Sequence, residues 1–165
     1  MKILTEKQIQ QKIKRLTIEI LEHNFDADEI ILAGINNNGL EFAQLLMNEL
    51  VNWQTAIPIT LTRIRLSPAE PLNNPIFIEM PLQQLENKVV IICDDVANTG
   101  RTVFYALQPL MAILPKKVEV AVLVDRKHKM FPITPDYVGL SLATTLKENI
   151  EVQLKNVAEQ AVYLK

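Results

Sequence analysis

Asp94 and Asp95 stand side by side after an apolar run, and Thr99, Gly100, Arg101 and Thr102 follow a short turn later. Adjacent carboxylates can accept hydrogen bonds from a sugar diol or hold an oxygen-seeking cation. Threonine hydroxyls and a permissive glycine at the start of a helix suit a phosphate, because unpaired backbone N–H groups converge there. A carboxylate pair beside a phosphate cradle points to one ligand that carries both a diol (or a metal) and a phosphate. A second polar turn, Gly34-Ile35-Asn36-Asn37-Asn38-Gly39, also separates a strand pattern from a helix pattern. Asparagine tolerates left-handed backbone and the flanking glycines are permissive, so a tight turn is expected there.

The elements that must position these groups can be read from periodicity. Residues 89–93 are apolar and rich in β-branched side chains, which suits a central parallel strand buried on both faces. Its carboxyl end is where open α/β sheets bind ligands. Thr5 is a suitable N-cap for an amphipathic helix over residues 7–23, with Ile9, Ile13, Leu16, Ile20 and Leu21 on one face. Residues 29–33 form a strand, residues 40–51 a helix and residues 56–65 a further strand. Pro68, Pro71, Pro75 and Asn73-Asn74 break regular structure over residues 67–75, giving either a lid or an ordinary mobile loop before a short apolar strand at 76–80. A helix over 102–113 contains Pro109, which predicts a kink or an early end near Gln108. Residues 118–124 read as another strand buried on both faces, and 137–140, 150–154 and 161–164 as short closing strands. Alternating strands and helices give an α/β fold with a mostly parallel core.

The chain has 165 residues, 48% of them hydrophobic and 22% charged, which suits one globular domain spanning 1–165 with a substantial core. No run approaches the ~20 apolar residues that span a bilayer, and the start lacks a signal peptide's apolar segment, so a cytoplasmic location is expected. Cys93 is the single cysteine, which excludes an intrachain disulfide and a cysteine-based zinc site. A net charge of −2 argues against broad electrostatic binding to nucleic acid.

The run from Val89 through Asp94-Asp95 to Thr99-Gly100-Arg101-Thr102 resembles the phosphoribosyl diphosphate (PRPP) signature of type I phosphoribosyltransferases. The likeness covers most of the chain. Ala121-Val122-Leu123-Val124-Asp125-Arg126, His128, Pro132-Ile133 and Asp136-Tyr137-Val138-Gly139 are similar to the PyrR branch of that family, the pyrimidine-operon attenuators and uracil phosphoribosyltransferases. The resemblance implies a mostly parallel sheet flanked by helices under a small hood. It also implies PRPP-dependent transfer of a 5-phosphoribosyl group to a nucleobase, with diphosphate released. By the same resemblance Asp94 and Asp95 are catalytic and bind PRPP together with Asn98, Thr99, Gly100, Arg101 and Thr102. Asn36, Asn37, Asn38, Gly39 and Arg63 bind diphosphate, and Arg126, Val138 and Gly139 bind the nucleobase. Magnesium is expected as the cofactor, bound mainly through PRPP rather than by a protein metal site, and a homodimer is the expected assembly.

Departures from the family pattern carry information too. The diphosphate turn lacks the branch's basic residue, and neutral amides hold an anion less strongly than a charge-assisted pair does. Arg63 and Arg65 are candidates to compensate. The 6-oxopurine branch has a carboxylate where this chain has Asn98, and an amide cannot take a proton at neutral pH. This speaks against a 6-oxopurine and leaves a pyrimidine or another acceptor open, and the PyrR resemblance favours a pyrimidine such as uracil. The hood segment Leu140-Ser141-Leu142-Ala143 also differs from the branch. The alternative is a catalytically weak PRPP-sensing or RNA-binding regulator. Lys12, Lys14 and Arg15 would be its RNA contacts, a reading not favoured because Ile18 replaces the branch's nearby histidine.

Overall fold

The computed structural model describes residues 1–145 and 147–165. Among the described residues nine strands and three α-helices run in the order β1 (Lys2–Leu4), α1 (Glu6–His23), β2 (Ile30–Ile35), α2 (Asn36–Asn52), β3 (Ile59–Arg65), β4 (Phe77–Ile78), β5 (Val89–Ala97), α3 (Arg101–Ala106), β6 (Lys117–Arg126), β7 (Tyr137–Leu142), β8 (Ile150–Gln153) and β9 (Ala161–Leu164). The main sheet has the order β4-β3-β2-β5-β6-β7, and β1, β9 and β8 form a separate three-stranded sheet. Every pairing among β3, β2, β5, β6 and β7 is parallel; only the short β4 runs antiparallel, against β3.

Alternation along the strands explains the two-faced core. Ile30, Leu32, Val89, Ile91 and Cys93 face α1 and α2, while Ile31, Ala33, Val90 and Ile92 pack with Val103, Ala106 and Leu110 on the other side. Helix α1 opens with a capping box: Gln8 N–H donates to Thr5 Oγ1 at 3.3 Å and Thr5 N–H to Gln8 Oε1 at 2.9 Å, worth about 1 kcal/mol. Gly34 and Gly39 serve close approach rather than unusual backbone. A Cβ on Gly34 would lie 2.4 Å from Leu40 Cα, and one on Gly39 would lie 2.4 Å from the Cys93 carbonyl oxygen. Their absence lets α2 press its first turn against β2 and β5.

Several boundaries differ from the sequence expectation, each for a local reason. The asparagine turn is the first turn of α2, which begins at Asn36 rather than residue 40; the left-handed residue is Asn36, at φ 52°. Strand β3 begins at Ile59, after Pro58, rather than at residue 56, and the strand expected over 76–80 is reduced to Phe77–Ile78. Helix α3 ends at Ala106 and a 3₁₀ turn over Gln108–Ala112 carries Pro109, the early end that proline predicts. The segment from Tyr137 is not a closing strand of the hood but the sixth strand of the main sheet. The hood instead recruits β1, which the periodicity of so short a strand could not reveal.

Candidate functional site

Strand order places the site. From β2 the chain crosses to β3 on one side, and β5 lies on the other, so the sheet's direction of winding reverses between β2 and β5. Crevices at such switch points, outside the carboxyl ends of the strands, are where open α/β sheets bind ligands. Gly34 is in register with Cys93, which sets the start of α2 beside Asp94 and Asp95.

Two cavities meet at this point. The larger, about 310 Å³, is lined by Ile35, Asn36, Asn37, Asn38, Pro68, Asp94, Asp95 and Thr102. The smaller, about 40 Å³, is lined by the loop residues Asn98, Thr99, Gly100 and Arg101, with Asp94 and Thr102 again in its wall. Asp94 and Thr102 are therefore shared, and one ligand can run from the start of α2, past the carboxylates, into the loop.

The carboxylates leave β5 in succession, on opposite sides of the sheet edge. Asp94 is only 8% exposed; its Oδ1 accepts from the Asp95 N–H at 3.0 Å, and Asp95 Oδ1 accepts from the Val96 N–H at 2.8 Å. Burial first, then the neighbouring charge of Asp95, hold the Asp94 carboxyl well above the usual carboxylate range. Burial raises Asp95 as well, against the pull of its hydrogen bonds. Without a ligand the pair resists carrying two charges; hydroxyl donors or a cation would remove that resistance.

The loop between β5 and α3 is fixed by Gly100, whose φ of +86° lies in the left-handed region and whose Cβ, if it had one, would meet Ile133 Cβ at 3.1 Å. Thr99 Oγ1 accepts from the Arg101 N–H at 3.3 Å, and the Thr99 carbonyl accepts from the Met130 and Phe131 N–H groups. The guanidinium of Arg101 turns to the proline-rich segment and donates to the Pro68 carbonyl at 2.7 Å. That segment thereby forms one wall of the larger cavity.

At the start of α2, the Asn36 side chain pairs with the backbone beyond β3: its Nδ2 donates to the Leu66 carbonyl at 2.9 Å and its Oδ1 accepts from the Leu66 N–H at 3.1 Å. Asn37 Oδ1 accepts from Arg63 at 2.8 Å. Arg63 thus reaches the site through Asn37 and does not line the cavity itself. Gly39 lies behind it, against Cys93. Burial, with the adjacent Asp94 charge, drives the Cys93 thiol far above its normal range, so it is an inert core group.

The residues expected on the base side are arranged differently. Arg126, 8% exposed, donates to Thr144 Oγ1 at 2.7 Å, the Thr145 carbonyl at 2.7 Å and Asn98 Oδ1 at 3.3 Å. It ties the loop between β5 and α3 to the segment after β7. Gly139 is required by packing, because a Cβ there would fall 2.4 Å from the Leu123 carbonyl oxygen. The carbonyls of Val138 and Gly139 accept from Arg15 of α1 at 2.7 and 3.0 Å, and neither residue lines the two cavities.

Lys129 and Pro68 were not among the expected site residues. Lys129 donates to the carbonyls of Ala97 and Asn98, at 3.4 and 2.9 Å, and pairs with Asp125. The signal for it was the i,i+4 spacing of Asp125 and Lys129; for Pro68 there was only the proline cluster.

The family profile described as the phosphoribosyl transferase domain matches residues 2–156. The chain is 36% identical over 157 residues to the "Bifunctional protein PyrR" of Ligilactobacillus salivarius, covering 90% of this chain and 88% of that one. It is 35% identical over 167 residues to the protein of the same name from Clostridium acetobutylicum, covering 96% and 93%. In fold it is similar to a hypoxanthine phosphoribosyltransferase of Trypanosoma cruzi, with a TM-score of 0.78 at 18% identity over 98% of this chain and 94% of that one. It is also similar to a hypoxanthine-guanine phosphoribosyltransferase of Bacillus anthracis, with a TM-score of 0.77 at 20% identity over 99% and 96%. The chain belongs to the phosphoribosyl transferase family, and it is similar to the bifunctional PyrR proteins over nearly their whole length.

Proposed function

We propose that this protein, acting as one domain over residues 1–165, transfers the 5-phosphoribosyl group of PRPP to a nucleobase, a pyrimidine such as uracil, and releases diphosphate. The observation that carries this is the pair of cavities joined at Asp94 and Thr102. Their layout fits a ligand with an anion at each end and a diol between. The 5-phosphate enters the loop of Asn98, Thr99, Gly100, Arg101 and Thr102, the ribose hydroxyls donate to Asp94 and Asp95, and the diphosphate meets the first turn of α2 at Asn36, Asn37 and Asn38. Arg63 supports that end through Asn37.

In the reaction, the bond from the anomeric carbon to the diphosphate oxygen breaks with its electron pair leaving on diphosphate. A ring nitrogen of the base supplies the pair for the new bond, and its proton passes to the departing diphosphate or to water. Positive charge grows on the ribose beside two carboxylates already fixed in place, which is the arrangement that lowers such a barrier. Among the described residues no three His, Cys, Asp or Glu side chains cluster as a metal cage. Asp94 and Asp95 are hard oxygen donors, and one or two carboxylates with substrate oxygens suit magnesium. Such an ion, arriving with PRPP, would neutralise charge on the leaving diphosphate.

Asn98 lacks a proton-accepting carboxylate, which supports a pyrimidine over a 6-oxopurine. Arg126, Val138 and Gly139 form the base side by resemblance, and Arg126 is hydrogen-bonded to Asn98. The buried, single Cys93 suits the reducing cytoplasm, and among the described residues no helix is long and apolar enough to cross a membrane. Exposed Phe104, in aromatic contact with Tyr105 and Phe131, offers a face for a homodimer.

A second reading, a PRPP-sensing regulator with weak turnover, is favoured by the neutral Asn36–Asn38 turn, whose nearest cation is already paired with Glu79. RNA binding gains less support, since Arg15 is committed to the Val138 and Gly139 carbonyls and to Glu19. Diphosphate release from PRPP and magnesium across a panel of nucleobases separates the two readings. Turnover with uracil supports the enzyme. PRPP binding without release on any base supports the sensor.

A further inference from the structure

Strands β3 and β4 pair Ile64 with Ile78 and Arg65 with Phe77, and just beyond them the Glu79 N–H donates to the Arg63 carbonyl at 2.9 Å. Residues two apart on a strand share a face, so Arg63 and Arg65 project together toward Glu79. A single carboxylate oxygen, Glu79 Oε1, takes both: Arg63 at 3.0 Å through Nε and 2.9 Å through its terminal nitrogen, and Arg65 at 2.9 Å. Two guanidinium groups thus share one acid, which leaves one uncompensated positive charge. The remaining edge of Arg63 is already aimed at the site, where it donates to Asn37 in the first turn of α2 at 2.8 Å.

This is an arrangement poised for exchange. Arginine prefers an anion that offers two parallel oxygens, and a phosphate presents them where a single Glu79 oxygen does not. The side chains are 20%, 41% and 38% exposed for Arg63, Arg65 and Glu79, so the ion pairs are partly solvated and inexpensive to break. The two arginines hold the Glu79 carboxyl below its ordinary range, so it is ionised and competes at neutral pH.

We propose that Glu79 is a displaceable counter-ion for Arg63 and Arg65: the diphosphate end of PRPP draws the arginines from it, and it recaptures them as product diphosphate departs. The inference rests on reading the start of α2 as the diphosphate end. It assigns Glu79 a positioning role, setting diphosphate affinity through the arginines without touching the reacting atoms. It also explains how a turn without its own cation can bind a strongly charged group and still let it go.

The test is calorimetric binding of magnesium diphosphate to the full chain and to Glu79→Gln, with product inhibition by diphosphate measured alongside. Removing the competing charge should tighten diphosphate roughly three- to tenfold, on the scale of one or two partly exposed ion pairs. The PRPP KM should fall by a similar factor, and the gain should shrink when Arg63→Gln is added to Glu79→Gln and vanish when Arg65→Gln is added as well. A scaffold role for Glu79 predicts the opposite sign, because a loosened Arg63 binds less well. Where Glu79→Gln does not fold, Glu79→Asp, which keeps the charge but shortens its reach, should give a smaller gain of the same direction. Wild-type binding with unchanged or weakened affinity in the variant overturns the counter-ion role alone. Absence of diphosphate and PRPP binding in the wild type overturns the functional reading and this role with it.

Discussion

Replacing Asp94 with asparagine should make the ligand-free protein more stable and the enzyme nearly inactive. The side chain is 8% exposed, and its carboxyl is raised by burial and by the charge of Asp95. Asparagine keeps the shape, and its carbonyl oxygen can still accept the Asp95 N–H that Asp94 Oδ1 accepts at 3.0 Å. What it removes is the cost of a poorly compensated buried charge, which is still several kcal/mol per ion after relaxation. Recovery of about 2 kcal/mol is expected at neutral pH, roughly 4–8 °C in Tm for a chain of this size. The pH dependence fixes the cause. A group whose folded pKa is raised above the unfolded value stabilises the fold fully below the unfolded value, and that contribution is lost as pH rises through the folded value. Wild type should therefore lose stability between mildly acidic and neutral pH, Asp94→Asn should lose less because only Asp95 remains raised, and the two melting curves should converge in acid. Turnover should fall by at least about a hundredfold, as when one preorganised charge-stabilising group is removed. A variant that melts below wild type at neutral pH, or a Tm gap that does not close in acid, refutes this.

Other consequences follow from the same geometry. Binding of PRPP with magnesium should expel protons from the Asp94–Asp95 pair and so strengthen as pH rises through their raised range; calorimetry in buffers of different ionisation enthalpy measures the release. Gly100→Ala must place a Cβ on left-handed backbone, 3.1 Å from Ile133. It should cost about 1–2 kcal/mol in chemical denaturation and weaken 5-phosphate binding. Gly39→Ala puts a methyl 2.4 Å from the Cys93 carbonyl oxygen, which should destabilise by about 2–4 kcal/mol and displace α2 from the site, read as a lower Tm with a raised PRPP KM.

The crevice at the end of β5 was legible because the residues that line it are local in the chain. Asp94, Asp95 and the loop through Thr102 lie on one strand and the turn after it, so their types and spacing already mark them as neighbours lining one crevice. The base side was less legible because tertiary contacts decide it. Nothing near Arg126 in the chain announces that it would be held by Thr144, Thr145 and Asn98, and nothing near Gly139 announces Leu123 on the neighbouring strand. Likewise the pairing of Arg63 and Arg65 with Glu79 depends on β4 folding back across the proline-rich segment. The start of α2 was misread for a subtler reason. Three asparagines between glycines look like a turn by propensity, yet Gly34 and Gly39 are there to let a helix begin against the sheet.

The central claim is that one PRPP molecule spans the two cavities joined at Asp94 and Thr102. The most direct measurement is diphosphate release from PRPP and magnesium with uracil, wild type against the Asp94→Asn/Asp95→Asn double variant. Release by the wild type that collapses in the correctly folded double variant is the predicted result; equal release by both proteins would contradict it.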